Sequence, residues 1–278
     1  MSAIQLSQIY IYPVKSLPGI PVSQATLTPR GLKNDRRWML VNEKGIFITQ
    51  RLYPQLALLN VLLSERHIHI TLPDGRLIKL SQSPDSGNDI KVKVWNDYII
   101  AKTTDTLSNQ IISDYLDVRC QFVFMPDTTI RPVDPDFSCS SSDYVSFADG
   151  FPLLLISESS LQDLNDKLKV KNIPSVPMIR FRPNIVVKGC NAFAEDRWQK
   201  FMVGDNTLLG VKPCSRCVMT TVNPKTGQKG KEPLATLLEY RKKENKAYFG
   251  QNVLTDFKQS ASLALSIGDP VEIIQSGA

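Results

Sequence analysis

Alternation of apolar and polar residues dominates the first hundred positions and restricts this chain to a sheet-rich fold. Successive side chains of a β-strand point to opposite faces, so a period of two predicts strands with one buried face. Turn sequences with Gly, Asn or Asp separate the alternating segments, as is typical of antiparallel hairpins. His67 and His69 lie on the polar face of one such strand, so we interpret them as strand surface residues rather than metal ligands. The predicted strands are 38–41, 46–49, 67–72, 77–80, 90–94 and 98–101.

Helical spacing occurs only in short segments. Ser157 can cap the second of three predicted helices, and Pro233 can occupy the first turn of the third. The segment 127–143 between the first two is rich in Pro, Asp and Ser and predicts a long loop or a boundary between two halves. The sequence therefore predicts a mainly β fold with short helices, a β-rich α+β architecture. The apolar positions of the predicted helices are Leu107, Ile111 and Tyr115, then Leu161, Leu164 and Leu168, then Leu234, Leu237 and Leu238.

Composition narrows the class of protein. With 42% apolar and 22% charged residues over 278 positions, the chain can bury a core, which excludes intrinsic disorder as a description of the whole. The apolar runs fall far short of the roughly 18 residues that span a bilayer. The first residues lack the pattern of a signal peptide, so we expect a soluble, cytoplasmic protein. The net charge of +6 is compatible with an anionic partner or with a lysine-rich solvated surface.

Cysteine spacing argues against disulfides and against conventional metal sites. The chain has five cysteines, Cys120, Cys139, Cys190, Cys214 and Cys217. An odd number in a long chain without a secretory signal does not suggest a disulfide framework. A zinc site normally needs four protein ligands, whereas only Cys214 and Cys217 have C-x-x-C spacing, so a zinc finger is not expected. Spacing alone leaves two ordinary reduced thiols as an equal alternative.

The C-x-x-C pair lies in a segment predicted to be extended. Pro213 disfavours a helix there, and 218–222 has the composition of a strand before an Asn-Pro turn. Lys212 and Arg216 would favour the thiolate form of a neighbouring cysteine, which is the form that attacks electrophiles or ligates metals.

Basic and polar residues occur at the ends of predicted strands. Lys15 and Ser16 end the first strand, Arg36 opens another, and Arg182 and Asn184 precede an apolar strand. Arginine forks with a lysine and a serine suit a phosphate or another oxyanion, although surface ion pairs are the alternative. Aromatic residues are not interleaved with these cations and no RNP or helix-turn-helix signature occurs, so nucleic acid is not expected as a partner.

An ordered series of motifs resembles MOSC-domain proteins that carry a MOSC N-terminal β-barrel domain. The motifs are YPVKSLPG, GLKNDRRWMLV, SFADGFP, RFRPNIVV, EDRW, KPCSRCVMTTVNPKTG, EPLATL, YR and FGQN. They extend from about Gln5 to Ile274, and their order makes the resemblance specific. The similar proteins are bacterial N-hydroxylated-compound reductases and mitochondrial amidoxime reducing components. The resemblance implies an N-terminal β-barrel-like domain over 1–120 and a MOSC β-barrel domain over 121–278.

The resemblance also implies a molybdenum cofactor, a pyranopterin dithiolene that carries an oxo-molybdenum centre. Cys217 matches the position of the protein ligand to the metal, and a soft thiolate suits that role. Cys214 matches a position that shapes the loop, and Asn252 is a further candidate for lining the pocket. Asp149 matches a position near the metal, where a carboxylate can orient substrate or handle a proton. The positions implied to hold the pterin and its phosphate are Lys15, Ser16, Arg36, Arg182 and Asn184, with Ser215 and Arg216 close in sequence.

The implied activity is that of a molybdenum-dependent oxidoreductase that removes oxygen from small N-hydroxylated substrates, namely amidoximes, hydroxylamines and N-hydroxylated bases. Some bacterial relatives carry a C-terminal ferredoxin domain. The isolated cysteines of this chain lack the clustered pattern of a four-thiolate ligand set, so no intrinsic iron–sulfur cluster is expected. Electrons are then expected from a separate ferredoxin, flavoprotein or haem protein. Two alternatives stay open: a cofactor-binding or sulfur-transfer module that is not a reductase, and a metal-free binding protein with two redox-sensing thiols.

Overall fold

The chain is folded mainly as β-sheet in a computed structural model that describes residues 3–84 and 86–277. Strands contain 40% of the residues, which confirms the mainly β fold with short helices. The strands are β1 (Gln5–Ile11), β2 (Ile20–Val22), β3 (Gln24–Thr28), β4 (Gly31–Leu32), β5 (Trp38–Asn42), β6 (Asn60–Leu63), β7 (His67–Thr71), β8 (Leu77–Ser81), β9 (Asp89–Val94), β10 (Asp97–Thr103), β11 (Cys120–Phe124), β12 (Leu153–Ser157), β13 (Ile185–Lys188), β14 (Trp198–Val203), β15 (Asn206–Arg216), β16 (Lys242–Lys243), β17 (Lys246–Thr255), β18 (Ala264–Ser266) and β19 (Val271–Ser276). The α-helices are α1 (Thr106–Leu116), α2 (Glu158–Val170) and α3 (Leu234–Tyr240), and the 3-10 helices are Pro54–Leu58, Met178–Phe181, Ala194–Arg197 and Val218–Thr221.

The strands form four sheets. The largest has the order β19-β14-β15-β17-β12-β13-β1-β2, with β16 paired to β17. A second sheet has the order β5-β11-β10-β9, and two three-stranded sheets have the orders β18-β3-β4 and β6-β7-β8. Strands β12 and β13 are parallel and are connected through α2. Strand β1 pairs with β13 and β2, so the start of the chain is part of the same sheet as the C-terminal half.

The predicted division near residue 120 falls at the first residue of β11. This strand pairs with β5 and β10, which both precede it in the chain. The segment 127–143 that follows contains no helix or strand, in agreement with the predicted loop. The division into 1–120 and 121–278 stays a prediction.

The hairpins predicted from the alternation form as β7-β8 and β9-β10. Ile68 and Ile70 are buried, whereas His67 and His69 lie half-buried on the other face of β7. The predicted strand 46–49 forms isolated bridges instead. Its backbone hydrogen bonds are divided between two strands, because the N–H of residue 47 donates to a carbonyl of β9 and that of residue 48 donates to a carbonyl of β5.

The buried face of helix α1 is centred one position away from the predicted one, and Ile111 and Tyr115 still pack partly buried against the core. Asp105 caps it by accepting a hydrogen bond from the N–H of Ser108 at 2.7 Å. Ile112 and Leu116 are buried in a core formed by residues between 14 and 124, but Leu107 is 71% exposed. The four-residue spacing was therefore correct for the helix and one position away from the centre of its buried face.

Helices α2 and α3 cover one face of the large sheet. Ser157 caps α2 as predicted, with its side chain accepting from the N–H of Ser160 at 3.1 Å. Leu164 and Leu168 of α2 and Leu237 of α3 pack in the same buried cluster. Of the helices that the structure describes, none is long and apolar enough to cross a membrane.

The central strands of the large sheet are buried on both faces. Leu155 and Ile185 belong to a core on one face, and Ile156 and Val186 to the core under α2 and α3 on the other. Burial on both faces explains why these strands read as continuous apolar runs rather than alternating ones. Their ends form a rigid edge from which polar side chains extend.

Candidate functional site

One cleft brings together side chains from seven separate segments of the chain. It encloses about 820 Å³ of empty space, including the part open to solvent. Asn252 lines the same cleft, as the sequence suggested. The candidate residues that line it are Lys15, Ser16, Arg36, Asp149, Arg182, Asn184, Ser215, Arg216 and Cys217.

The lining of the cleft is strongly cationic. Six basic side chains face one acidic side chain, which gives a formal charge of 6 − 1 = +5. A concave surface with one sign of charge raises the local concentration of ligands of the opposite sign. The cleft therefore favours an anion. The basic residues are Lys15, Arg36, Arg51, Arg180, Arg182 and Arg216, and the acidic residue is Asp149.

A buried polar network, which we call the floor network, consists of Tyr12, Asp35, Arg36, Arg182 and Asn184. The guanidinium of Arg36 pairs with the Asp35 carboxylate and donates to Asn184 Oδ1 at 3.0 Å and to the Arg182 carbonyl at 3.3 Å. Asp35 Oδ1 accepts the backbone N–H of Tyr12 at 2.8 Å. Asn184 also accepts from one backbone N–H and donates to one backbone carbonyl. Most polar groups of this network therefore already have hydrogen-bond partners within the protein.

Two guanidinium groups lie close to the aromatic ring of Tyr12. The Cζ atoms of Arg36 and Arg182 lie 4.5 and 4.2 Å from its ring centroid. Burial, together with the charge of Arg36, lowers the pKa of Arg182 to about 10. Burial also opposes the charge of Arg36, but the neighbouring Asp35 outweighs it and raises the pKa of Arg36. Both guanidinium groups thus lie close to one aromatic ring, and the charge of Arg36 acts on Arg182.

Three candidate residues have left-handed backbone conformations. The φ angles of Ser16, Arg36 and Arg182 are 67°, 50° and 56°. This conformation costs roughly 1–2 kcal/mol for a residue with a Cβ atom. Such strain at three positions around one cleft is typical of a site that the surrounding structure holds in place.

The side of the cleft nearest residue 149 contains a short ion pair. The buried Lys15 Nζ donates to Asp149 Oδ1 at 2.6 Å and to the Phe147 carbonyl at 2.7 Å. The Trp95 indole N–H donates to the same Asp149 oxygen at 3.2 Å, and Arg51 Nη2 lies 4.0 Å from the other. The Asp149 side chain is 64% exposed although that of Lys15 is only 6% exposed.

The pKa values of both groups in this pair are lowered, although burial and the partner's charge act in opposite directions on each. Burial lowers the pKa of Lys15 to about 8, against the opposing effect of Asp149. Partial removal from water would raise the pKa of Asp149, but the charge and hydrogen bond of Lys15, with Arg51 and Trp95, hold it well below its usual range. At neutral pH the carboxylate is therefore charged and the proton resides on the lysine.

The loop that carries Asp149 is held by Arg131, a residue that the sequence did not single out. Its guanidinium donates to the carbonyls of Ser146, Ala148 and Asp149 at 2.9, 2.6 and 3.0 Å. Its Nε also donates to the carboxylate of Asp97 at 2.7 Å. With 3% exposure, Arg131 is a buried support for the loop rather than part of the cleft surface.

The two cysteines of the C-x-x-C pair have different environments. Cys214 lies in β15 and accepts a hydrogen bond from Arg216 Nη1 at Sγ, 3.0 Å away. Cys217 follows the end of β15 and is exposed at the cleft. The predicted strand over 218–222 is wrong, because the N–H and hydroxyl of Thr220 turn back to the Cys217 carbonyl at 3.1 and 3.0 Å and form a 3-10 helix.

Three cleft arginines have unused donors. The Nε atoms of Arg51, Arg180 and Arg216 are buried and have no hydrogen-bond partner among the described residues. A buried donor without an acceptor costs roughly 1–3 kcal/mol, and more when it is charged. A bound oxyanion would supply the missing acceptors.

Sequence reasoning missed several residues at this site. Arg51 lies two positions after the segment 46–49, and Arg180 lies two positions before Arg182, so the strand-end rule that found the other cations could have found both. Trp95 and Arg131 have no such signal, because their bonds to Asp149 join residues 54 and 18 positions apart.

Potential metal ligands are sparse. Within residues 3–84 and 86–277, no three His, Cys, Asp or Glu side chains form a group that could hold a metal ion. A metal at Cys217 would therefore take most of its ligands from a group bound together with it.

Comparison with known proteins identifies the family. Residues 3–119 match the MOSC N-terminal beta barrel domain and residues 142–272 match the MOSC domain. The mitochondrial amidoxime-reducing component 1 of Homo sapiens is 33% identical over 286 residues, which cover 97% of this chain and 82% of that protein. The mitochondrial amidoxime reducing component 2 of Rattus norvegicus is 37% identical over 252 residues, covering 85% and 72%. The molybdenum cofactor sulfurase of Oryza sativa subsp. japonica is 33% identical over 268 residues, covering 90% of this chain and 32% of that protein.

These matches confirm the resemblance inferred from the motifs. The order of the two domains and the coverage of most of the chain agree with the predicted architecture. The chain belongs to the family of MOSC proteins with a MOSC N-terminal beta barrel domain, together with the amidoxime-reducing components.

Proposed function

We propose that this protein is a molybdenum-cofactor-dependent reductase that removes oxygen from N-hydroxylated compounds such as amidoximes, hydroxylamines and N-hydroxylated bases. Electrons come from a separate ferredoxin, flavoprotein or haem protein. The observation that carries the proposal is one exposed thiol, Cys217, in a cleft lined by six cations. Sequence identity of 33% and 37% with amidoxime-reducing components, over most of the chain, supports the reaction class.

The cleft residues fit a molybdenum cofactor. A phosphate needs several N–H donors, and the Nε–H groups of Arg51, Arg180 and Arg216 lack acceptors among the described residues. A molybdenum centre held mainly by dithiolene sulfur accepts one further soft ligand, for which the Cys217 thiolate is suited. When bound, the cofactor supplies the two-electron redox chemistry, while the protein supplies binding, orientation and electrostatics.

Two kinds of residue would anchor the cofactor: those that shape and charge the cleft, and those that contact the cofactor directly. Arg36 and Asn184 already bond within the floor network, so we assign them to shaping and charging the cleft. Arg216 keeps one unpartnered donor and is suited to direct contact. The residues assigned to holding the pterin and its phosphate are Lys15, Ser16, Arg36, Arg182, Asn184, Ser215 and Arg216.

Asp149 is assigned to orienting the substrate. Its Oδ1 accepts from Lys15 and Trp95, and its exposed position leaves acceptor capacity for an N–H or O–H of a ligand. Because the carboxylate is charged at neutral pH, Asp149 acts as an acceptor there. Lys15, with a pKa of about 8, is the neighbouring group that carries a proton.

The test is reduction of benzamidoxime and of an N-hydroxylated base by cofactor-loaded protein with an artificial electron donor. Cys217→Ala should lower turnover by at least about 100-fold, as expected when a group that binds the reacting centre is removed. Cys139→Ala is the matched control and should keep most of the activity, because this exposed cysteine lies outside the cleft. A metal-replete Cys217→Ala protein with wild-type turnover would refute the assignment.

A cofactor-binding or sulfur-transfer module is the second candidate function. The match to a molybdenum cofactor sulfurase favours it, although the chain spans only 32% of that protein. Loaded wild-type protein that binds the cofactor and reduces neither substrate would support this function. The third alternative, a metal-free protein with redox-sensing thiols, predicts no molybdenum in protein made in a host that supplies the cofactor.

A cytoplasmic location stays a prediction for this chain. Two of its relatives are named as mitochondrial proteins. Fractionation of the native cells, followed by detection of the chain in each fraction, distinguishes the two locations.

A further inference from the structure

A second groove, which we call the lysine groove, shares a wall with the cleft. It lies between the segment 173–177 and the loop 223–232. Arg180 lines both the groove and the cleft. Its Nη1 donates to the carbonyls of Thr220 and Glu232, both at 3.2 Å, and so joins the wall of the cleft to the loop of the groove.

The lysine groove is positively charged and its lysines are exposed. Lys225, Lys229 and Lys231 have no carboxylate within ion-pair distance in the part of the chain that the structure describes. With Arg180 they face one acidic lining residue, Glu232, so the formal charge is 4 − 1 = +3. Glu232 is engaged elsewhere, because its carboxylate accepts a backbone N–H at the start of α3.

The loop that carries these lysines is folded back on itself. The Asn223 N–H donates to the Gln228 carbonyl and the Gly227 N–H to the Asn223 carbonyl, both at 2.8 Å. Gly227 is buried and has a φ of 69°, a backbone conformation that favours glycine. The lysines are therefore displayed on an ordered surface, which reduces the ordering cost of binding a partner.

Two exposed apolar residues are sequence neighbours of residues that line the cleft. Val218, next to Cys217, is 54% exposed, and Leu52, next to Arg51, is 72% exposed. Apolar side chains with cations around them are typical of a protein docking face, in which charge steers the encounter and apolar contact excludes water.

We propose that the lysine groove, with Leu52 and Val218, is the docking face for a small acidic redox protein that delivers electrons to the cleft. This inference rests on the proposed function. Conversion of an N–OH group to N–H and water breaks the N–O bond and consumes two electrons and two protons. The reductant must therefore dock, deliver its electrons and leave in every catalytic cycle. A weak, electrostatically steered interface suits such turnover.

The experiment compares donors of different kinds on the cofactor-loaded protein. The protein probes are three redox proteins chosen for net negative charge, a plant-type [2Fe–2S] ferredoxin, a flavodoxin and a haem domain, and the small-molecule probe is a reduced viologen. In the variant Lys225→Gln/Lys229→Gln/Lys231→Gln, the bimolecular rate with each acidic protein that reduces the wild type should fall about tenfold at low ionic strength. The dependence of that rate on salt should weaken, and the viologen-driven rate should not change.

The control variant removes the same charge from exposed positions outside both the cleft and the groove. Lys44→Gln/Lys79→Gln/Lys91→Gln should keep the protein-driven rate within about twofold, because steering depends on local rather than net charge. Equal rates and equal salt dependence for the groove variant and the wild type would overturn the docking face. So would wild-type protein that accepts electrons from none of the three acidic donors.

Direct binding separates this inference from the proposed function. If viologen drives no reduction, the proposed function fails, and equilibrium binding of the acidic ferredoxin to wild type and to the groove variant still tests the face. Tighter binding by the wild type supports the groove. Identical binding, or stronger binding of a DNA oligonucleotide than of any acidic protein, contradicts it.

Discussion

The floor network and the rim of the cleft, by which we mean Arg51, Arg216 and Cys217, differ in how many of their polar groups are hydrogen-bonded within the protein. In the floor network, Arg36 bonds to three neighbours and Asp35 accepts from two. At the rim, Cys217 is exposed and Arg51 and Arg216 keep buried donors without partners in the described chain. The charged groups of the floor are therefore paired as folded, although the buried Tyr12 hydroxyl has no partner in the described chain. The rim keeps unused donors and an exposed thiol.

This difference predicts that stability depends mainly on the floor and ligand binding mainly on the rim. Buried charges that lose a partner destabilise a fold strongly, and exposed groups contribute little. Substitutions at the two places should therefore separate unfolding free energy from cofactor retention.

The largest effect on stability is expected from Asp35→Ala. It leaves the Arg36 charge and the Tyr12 N–H without their buried acceptor, so the free energy of unfolding should fall by about 3–5 kcal/mol. Asp127→Ala is the matched control: its carboxylate is 89% exposed and pairs with Arg37, and its loss should be below about 1 kcal/mol. Urea unfolding of both variants measures the difference, and equal losses would remove the distinction between floor and surface.

Arg131→Met should have the next largest effect. The variant leaves the buried carbonyls of Ser146 and Ala148 without donors, for a loss of roughly 3 kcal/mol. Loaded protein should also lose turnover, because the loop with Asp149 is no longer held. Arg119→Met, at a position 85% exposed, is the control. Unchanged stability in Arg131→Met would show that the loop is held by other contacts.

Lys15 should make the unfolding free energy depend on pH, with an effect no larger than that of Arg131→Met. Burial lowers its pKa from 10.5 to about 8, so between these values the unfolded chain binds a proton that the folded protein has lost. Unfolding free energy therefore rises with pH across this window, by roughly 2–3 kcal/mol relative to Lys15→Met. Denaturation at pH 8 and pH 10.5 measures it, and parallel profiles for the two proteins would contradict the buried charge.

The Asp149 carboxylate opposes the lowering of the Lys15 pKa, and this opposing effect can be tested separately. Because Asp149 raises the pKa of Lys15, the variant Asp149→Asn should lower it below about 8. An NMR titration of the lysine side chain follows the change directly. A Lys15 pKa that rises in the variant would mean that the pair interacts differently from the 2.6 Å contact.

The smallest effect on stability is expected at the rim. Cys217→Ala should change the free energy of unfolding by less than about 0.5 kcal/mol, because its side chain is exposed. Cys120→Ala, at a buried position, should cost about 1 kcal/mol or more. A large loss in Cys217→Ala, measured by thermal unfolding of cofactor-free protein, would place this residue with the floor.

Local patterns predicted the elements whose partners are local. The alternation at 67–72 and 90–94 identified β7 and β9, because each pairs with the next strand along the chain. The segments 46–49 and 218–222 have the composition of strands but form bridges and a 3-10 helix. Their backbone partners were selected by surrounding structure, which no local pattern encodes.

The sequence by itself determined a sheet-rich fold, the family and the identity of the candidate residues, because periodicity and motif order are properties of the chain. Only the tertiary structure decided that Lys15 meets Asp149 rather than facing the cleft alone, and that Arg131 and Trp95 support that pair. It also decided that Cys217, not Cys214, has the exposed thiol. These outcomes depend on contacts between residues far apart in the chain, and such contacts form only once the sheets have packed.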